Sequence, residues 1–415
     1  MSVSSISMPL KILFCSETKL SRMLGASRPL LDLSDELAQL GWECDFVCPS
    51  SLHDGDDPVA AQREYPENLR RHLLNYSHNY NVVDYAHECL PYERSTFCNH
   101  ALFVARSVLL VQHLGKIAIP HPRTVRSLLG RVVKGRMRRR ELEGRIRRAD
   151  HTIGQADLVN VSNSDDRTEL IARGTPAEKI VVLPFGLSRA VFAGLESLSV
   201  EPPLRPVIAF IGTFDSRKGA VEFPRIVRGI EAAYPEARFR LLGTAGMLQT
   251  AESVLSYFPP SSWSRIEVVP RFAPEELPSL LSDCSLGIFP SHYEGFGLGV
   301  LEMLAAGLPV IAYSTPGPRD ILSPEYLVPA GDHRAMSDRV NALLKNPNEL
   351  RIVRRLARQR AAHFNWEAIA KETDRIYREQ FALRPGVATE QNRSVPTRPS
   401  RNAFERRESG SEPDR

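Results

Sequence analysis

The stretch from Leu286 to Ile311 constrains this chain more than any other. Leu286-Gly287-Ile288-Phe289 is followed by Pro290-Ser291-His292-Tyr293-Glu294-Gly295-Phe296-Gly297-Leu298-Gly299. The apolar run Val300 to Ala306 comes next, then Gly307-Leu308-Pro309 and Val310-Ile311. Two short apolar runs on either side of a longer one, punctuated by glycines, read as strand, turn, helix and strand. A glycine turn that opens a helix gathers free backbone N–H groups and a partial positive charge at one point. Such a point suits a phosphate or diphosphate. Glu302 lies within the apolar helix, where an acid without a partner or ligand is rare. Glu294 stands at the mouth of the turn. If the residues between them are helical, they climb about 12 Å. That exceeds the roughly 5–9.5 Å of a glycosidase carboxylate pair. The two acids therefore read as binding groups for different parts of one extended ligand.

The rest of the chain repeats this alternation. Lys11–Cys15, Cys44–Cys48, Val82-Val83, Ser107–Gln112, Leu158–Val161 and Ile180–Leu183 read as buried strands of a first half. Val207–Ile211, Phe239–Leu242 and Ile266–Val269 begin a second. Short apolar strands separated by helical stretches imply parallel sheets covered on both faces. The fold class is thus α/β, with two Rossmann-like, doubly wound domains facing a central cleft. The expected boundaries are 1–196 for the first domain, 197–206 for a Pro- and Ser-rich linker and 207–364 for the second domain. An amphipathic helix over 365–383 follows, and 384–415 reads as a polar, disordered tail. In doubly wound domains, ligands sit beyond the carboxyl ends of the strands, so the cleft is the expected site.

Six cysteines without Cys-x-x-Cys spacing, most of them in or beside apolar runs, fit free thiols in a reducing compartment. No apolar run is long enough to cross a bilayer, and the N-terminus lacks a secretory pattern. A cytoplasmic location is expected, with attachment to the inner face of the membrane as an option. Asp165-Asp166 reads as a pair of solvated acids, and no Asp-x-Asp pair is placed to hold a metal.

The Glu294–Glu302 spacing, its glycines and the closing Gly-Leu-Pro-Val-Ile resemble the Glu-x7-Glu signature of family 4 glycosyltransferases, retaining enzymes with the GT-B fold. The resemblance is specific from Val207 to about Ile376 and loose from Lys11 to Leu183. It implies transfer of a sugar from a nucleotide diphosphate-sugar to an acceptor hydroxyl, in glycan, polysaccharide or glycolipid synthesis. Glu302 would hold ribose hydroxyls, and Glu294 the transferred sugar. Lys218, in Gly212-Thr213-Phe214-Asp215-Ser216-Arg217-Lys218-Gly219, matches the family lysine that contacts the donor diphosphate. The family arginine after the first glycine is Thr213 here, leaving Arg217 as the nearest second cation. Gly295, Phe296, Gly297 and Leu298 would cradle the phosphates, and Gly25 matches loosely a glycine loop that approaches them. Arg271-Phe272 falls where relatives hold the base, although Phe272 reads equally well as core. His113 matches a histidine near the donor sugar, with His87 as its rival. Pro316-Gly317 replaces a Gly-Gly turn and reads as scaffold. No cofactor or metal is implied; the acceptor would be a glycan or a lipid-linked species. The alternatives are a nucleotide-sugar-binding regulator, or another GT-B enzyme such as an epimerase or phosphorylase.

Residues 123–148 combine many arginines with apolar residues at near-helical spacing. A surface helix with a core-facing stripe and a helix lying on an anionic membrane both fit this pattern. Without interleaved aromatics it is not read as a nucleic-acid surface.

Overall fold

The computed structural model describes residues 9–22, 25, 27–117, 119–120 and 128–384, with side chains left aside over 128–136. The tail read over 384–415 lies, but for its first residue, outside them. So does the beginning of the basic stretch. Its remainder forms the helix Leu128–Gln155, on which Arg138, Arg139 and Arg140 are exposed.

Twelve strands form two six-stranded, all-parallel sheets among these residues. The first contains β1 (Lys11–Cys15), β2 (Glu43–Val47), β3 (Val82–Ala86), β4 (Leu102–Ser107), β5 (Leu158–Val161) and β6 (Ile180–Val182), in the order β2-β1-β3-β4-β5-β6. The second contains β7 (Val207–Ile211), β8 (Arg238–Leu242), β9 (Ile266–Val269), β10 (Leu286–Phe289), β11 (Val310–Tyr313) and β12 (Leu327–Val328), in the order β12-β11-β10-β7-β8-β9. In each sheet the order reverses beside the first strand, a topological switch where a crevice opens at the strand ends.

The run Ser107–Gln112 is not a strand. The fourth strand is Leu102–Ser107, and Val111–Gly115 is a 3-10 turn. Arg106 broke the apolar pattern there, yet it is buried, because its guanidinium bonds both oxygens of Asp84 on β3 at 2.9 and 2.6 Å. Before β10, Pro274–Glu276 is a 3-10 turn followed by the short helix Leu277–Leu281.

The helix Trp366–Ala382 packs on the helix Arg28–Gln39 of the first half. Its Tyr377 hydroxyl donates to Asp84 at 2.7 Å, and Trp42 Nε1 donates to Asp374 at 2.6 Å. The connection between the sheets is fastened down: buried Arg354 donates to the carbonyls of Ser199, Val200, Cys284 and Ser285 at 2.6–3.1 Å. All six cysteines are free.

Candidate active site

The glycine turn after β10 delivers Glu294 to the carboxyl edge of the second sheet. Glu294 is buried and accepts from Lys218 Nζ and Ser291 Oγ; Arg217 Nη1 lies 3.4 Å away and also donates to the Tyr293 carbonyl at 3.0 Å. Burial alone would raise its pKa. Lys218 and Arg217 outweigh that and hold the carboxyl below its ordinary value. Both cations come from the turn after β7. Asp215 shapes that turn by accepting from the backbone N–H groups of Arg217 and Lys218, and Gly219 ends it at φ +85°. A Cβ at Gly219 would meet the Pro290 carbonyl at 2.3 Å, so glycine is needed for the two loops to touch.

The helix after the turn is Leu298–Ala305, with Gly297 before it at φ +99°. Only the second half of the Glu294–Glu302 interval is helical, so the rise inferred from eight helical residues does not apply. Glu302 is buried, and its partner is Arg28 at 2.8 Å, the first residue of the helix Arg28–Gln39 on the facing sheet. Burial raises the Glu302 pKa, with Arg28 opposing the shift. Glu302, one turn into this helix, thus faces the first domain directly.

Contacts across the cleft are close. A Cβ on Gly295 would lie 1.7 Å from the Val108 carbonyl oxygen. The Gly295 carbonyl accepts from Ser162 Oγ at 3.1 Å and from Asn163 Nδ2. Tyr293 donates its hydroxyl to the Leu110 carbonyl, and Phe296 packs at a tilt against Phe185 with ring centroids 5.4 Å apart. Asp320 accepts from the Ser164 backbone at 2.6 Å, and Arg319 pairs with Asp165 at 2.9 Å.

Residues 199–360, essentially the second sheet and its helices, match the family described as glycosyl transferases group 1. The D-inositol 3-phosphate glycosyltransferase of Corynebacterium urealyticum is 27% identical over 265 residues, covering 62% of this chain and 59% of that protein. An MMP alpha-(1->4)-mannosyltransferase of Mycolicibacterium hassiacum is 32% identical over 113 residues, 26% of this chain and 28% of that one. The chain spans about three fifths of the first of these relatives and less of the second. Among solved structures, the sucrose-phosphate synthase of Thermosynechococcus elongatus superposes with TM-score 0.66 at 20% identity, covering 90% of this chain and 99% of that one. Anabaena Alr3699/HepE in complex with UDP-glucose gives 0.64 at 14%, covering 89% and 100%. The fold is GT-B.

In this GT-B frame, only some of the residues singled out from sequence come together. Glu294, Lys218, Arg217, Gly295, Phe296, Gly297, Leu298 and Glu302 come together at the β7 and β10 ends. Gly25 lies on the opposing loop, with open space where a Cβ would project. Arg271 is exposed and its guanidinium donates to Gln249, while Phe272 is half-buried, its ring 3.2 Å from where a Cβ on Gly243 would stand. Gly317, at φ +81°, packs under the Phe296 carbonyl, where a Cβ would come within 2.4 Å.

His113 sits on the 3-10 turn after β4, its Nε2 2.9 Å from Asp166 Oδ1 and its ring edge-on to Tyr293. Asp166 is therefore not a solvated acid: it is fully buried in the first turn of the helix Ser164–Ala172, where burial raises its pKa against the pull of His113. Its neighbour Asp165 pairs with Arg319 rather than with water alone. His87 lies elsewhere, buried after β3, and burial drives its pKa down to about 4. One ligand atom each from His87, Glu17 and Glu88 falls within a 4.8 Å cluster, which could hold a cation, although Arg145 already bonds both Glu88 oxygens at 2.9 and 2.8 Å.

Sequence reading missed Arg28 and Asp166 as site residues. The one signal for Arg28 was its position directly after the Gly25 loop.

Proposed function

We propose that this chain is a retaining glycosyltransferase of family 4 that moves a sugar from a nucleotide diphosphate-sugar to an acceptor hydroxyl. The observation that carries the reading is the joint placement of Lys218, Arg217 and buried Glu294 beside the helix start at Gly297-Leu298, with buried Glu302 one turn farther along that helix. Cations and free N–H groups at one point stabilise the charge that develops on a departing diphosphate, the dominant electrostatic demand of such a transfer. Lys218 and Arg217 would neutralise the phosphates. Glu302 would accept from ribose hydroxyls, and Glu294 would orient the sugar while keeping the two cations fixed. His113, held by Asp166, would contact the sugar from the first domain. Alignment of donor and acceptor supplies the rest of the rate. In this reading no metal takes part, and the leaving phosphate receives the acceptor proton.

The UDP-glucose bound by the Anabaena neighbour and the sugar-transfer activities named for the relatives support a nucleotide-sugar donor. For the acceptor we favour a glycan or a lipid-linked species, reached from the cytoplasmic face of a membrane with the basic helix Leu128–Gln155 against anionic lipid. No helix among the described residues is long and apolar enough to cross a membrane.

The test is a thermal-shift and calorimetric screen of UDP-, GDP- and ADP-sugars against wild type and Glu302→Ala. Binding of one nucleotide class that disappears in the variant is the expected result. No binding of any donor by wild type refutes the reading, and binding without donor hydrolysis or transfer would place the chain among nucleotide-sugar-binding regulators.

A further inference from the structure

We propose that Arg28 is a diphosphate-binding residue of the donor site, held on Glu302 until a nucleotide takes its place. This rests on the donor reading above.

In the second domain, the cations of the loop after β7 are already engaged. The position after Gly212 is Thr213, whose hydroxyl is committed to Asp215 at 2.8 Å. Lys218 and Arg217 both spend charge on Glu294. Across the cleft, Arg28 is only 13% exposed, with Nη1 on Glu302 at 2.8 Å and Nε 3.5 Å from Asp32. Its Nη2 makes no hydrogen bond among the described residues.

Two buried charges now satisfy each other, and neither can be left alone cheaply. Ribose hydroxyls can replace Arg28 as partners of Glu302 only if Arg28 finds another anion. The diphosphate attached to that ribose is such an anion. Asp32, itself tied to Arg22 at 2.9 Å, stays behind as a tether that keeps the guanidinium in the cleft. A planar fork meets two phosphate oxygens at once, which a lysine cannot reproduce. Arg28 thus supplies from the first domain the cation that Thr213 does not supply from the second, and it couples donor binding to closure of the two domains.

The test compares UDP, GDP and ADP with uridine, guanosine and adenosine, using calorimetry for the diphosphates and ligand-observed NMR for the weaker nucleosides. Loss of a charge-assisted hydrogen bond predicts that Arg28→Gln weakens the favoured diphosphate about tenfold or more. The matching nucleoside should bind unchanged or more tightly, because Glu302 is freed. Unchanged diphosphate affinity, or equal losses for diphosphate and nucleoside, overturns the assignment while leaving the donor reading intact. If wild type binds none of the diphosphates, the donor reading itself fails and Arg28 falls with it. Should Arg28→Gln fail to fold, Arg28→Lys decides: a loss confined to the diphosphate supports the assignment, and no loss overturns it.

Discussion

Replacing Gly295 by alanine asks the two domains to part. The new Cβ would sit 1.7 Å from the Val108 carbonyl oxygen and 2.8 Å from its carbon, against a floor of 3.0 Å that real Cβ contacts do not cross. Both opposing atoms are backbone, so no side chain can swing aside; one loop must retreat by more than 1 Å. That retreat strains the bonds that close the cleft here: Ser162 and Asn163 to the Gly295 carbonyl, and Tyr293 to the Leu110 carbonyl. At a net of about 0.5–1.5 kcal/mol for each buried hydrogen bond, losing the three costs about 1.5–4.5 kcal/mol. Urea denaturation of the full chain should show a destabilisation of that size. Small-angle scattering should show a more open particle, and affinity for the favoured nucleotide-sugar should fall, because Arg28 and Glu302 no longer border one site from which both could reach the same donor. A Gly295→Ala protein within about 0.5 kcal/mol of wild type, with unchanged scattering and donor affinity, would refute the claim that this contact sets the closed arrangement.

Arg354→Met leaves four backbone carbonyls without their donor; equilibrium unfolding should show a loss of about 3–5 kcal/mol, and a loss below 1 would mean that water replaces the guanidinium. Glu17 has its pKa raised to about 7 by burial and then by Glu88, with Arg145 opposing. A carboxyl raised above its unfolded value binds its proton more tightly in the native state, so its contribution is complete below the unfolded value near 4.5 and is lost as pH rises through about 7. Because Glu17 keeps some exposure, wild type should lose no more than about 2 kcal/mol relative to Glu17→Gln over that window. Parallel pH–stability profiles for the two proteins would contradict this. Tyr377→Phe removes the hydroxyl that joins the C-terminal helix to buried Asp84; a cost of about 1–2 kcal/mol and earlier proteolysis of that helix are expected, and protease resistance equal to wild type would argue against the anchor.

The glycine turn, its helix and the carboxylate inside that helix were legible because each is a local pattern. Apolar runs of strand length, glycines at positive φ and an acid in an apolar stretch can all be read without knowing what lies opposite. Lys218 and Arg217 were legible for the same reason, standing in a glycine-bounded loop directly after an apolar run. The failures share the opposite cause. Arg106 masked strand β4 because its compensating Asp84 is 22 residues away on a neighbouring strand. Asp166 looked like one of two surface acids, but His113, 53 residues earlier, takes it into the interior.

By itself, then, the amino-acid sequence determined two parallel α/β halves, the glycine turn that opens a helix at the sheet edge and the cations closest to it. Hydrophobic periodicity and backbone freedom act over a few residues, and they suffice for that much. Only the tertiary structure decided what answers those groups across the cleft. Arg28 meets Glu302 over 274 positions of sequence, and Gly295 must lack a side chain because the Val108 carbonyl of the other domain occupies its place. Buried charges and backbone contacts of this kind depend on desolvation and steric exclusion between distant segments, which come into being only when the two sheets close on each other.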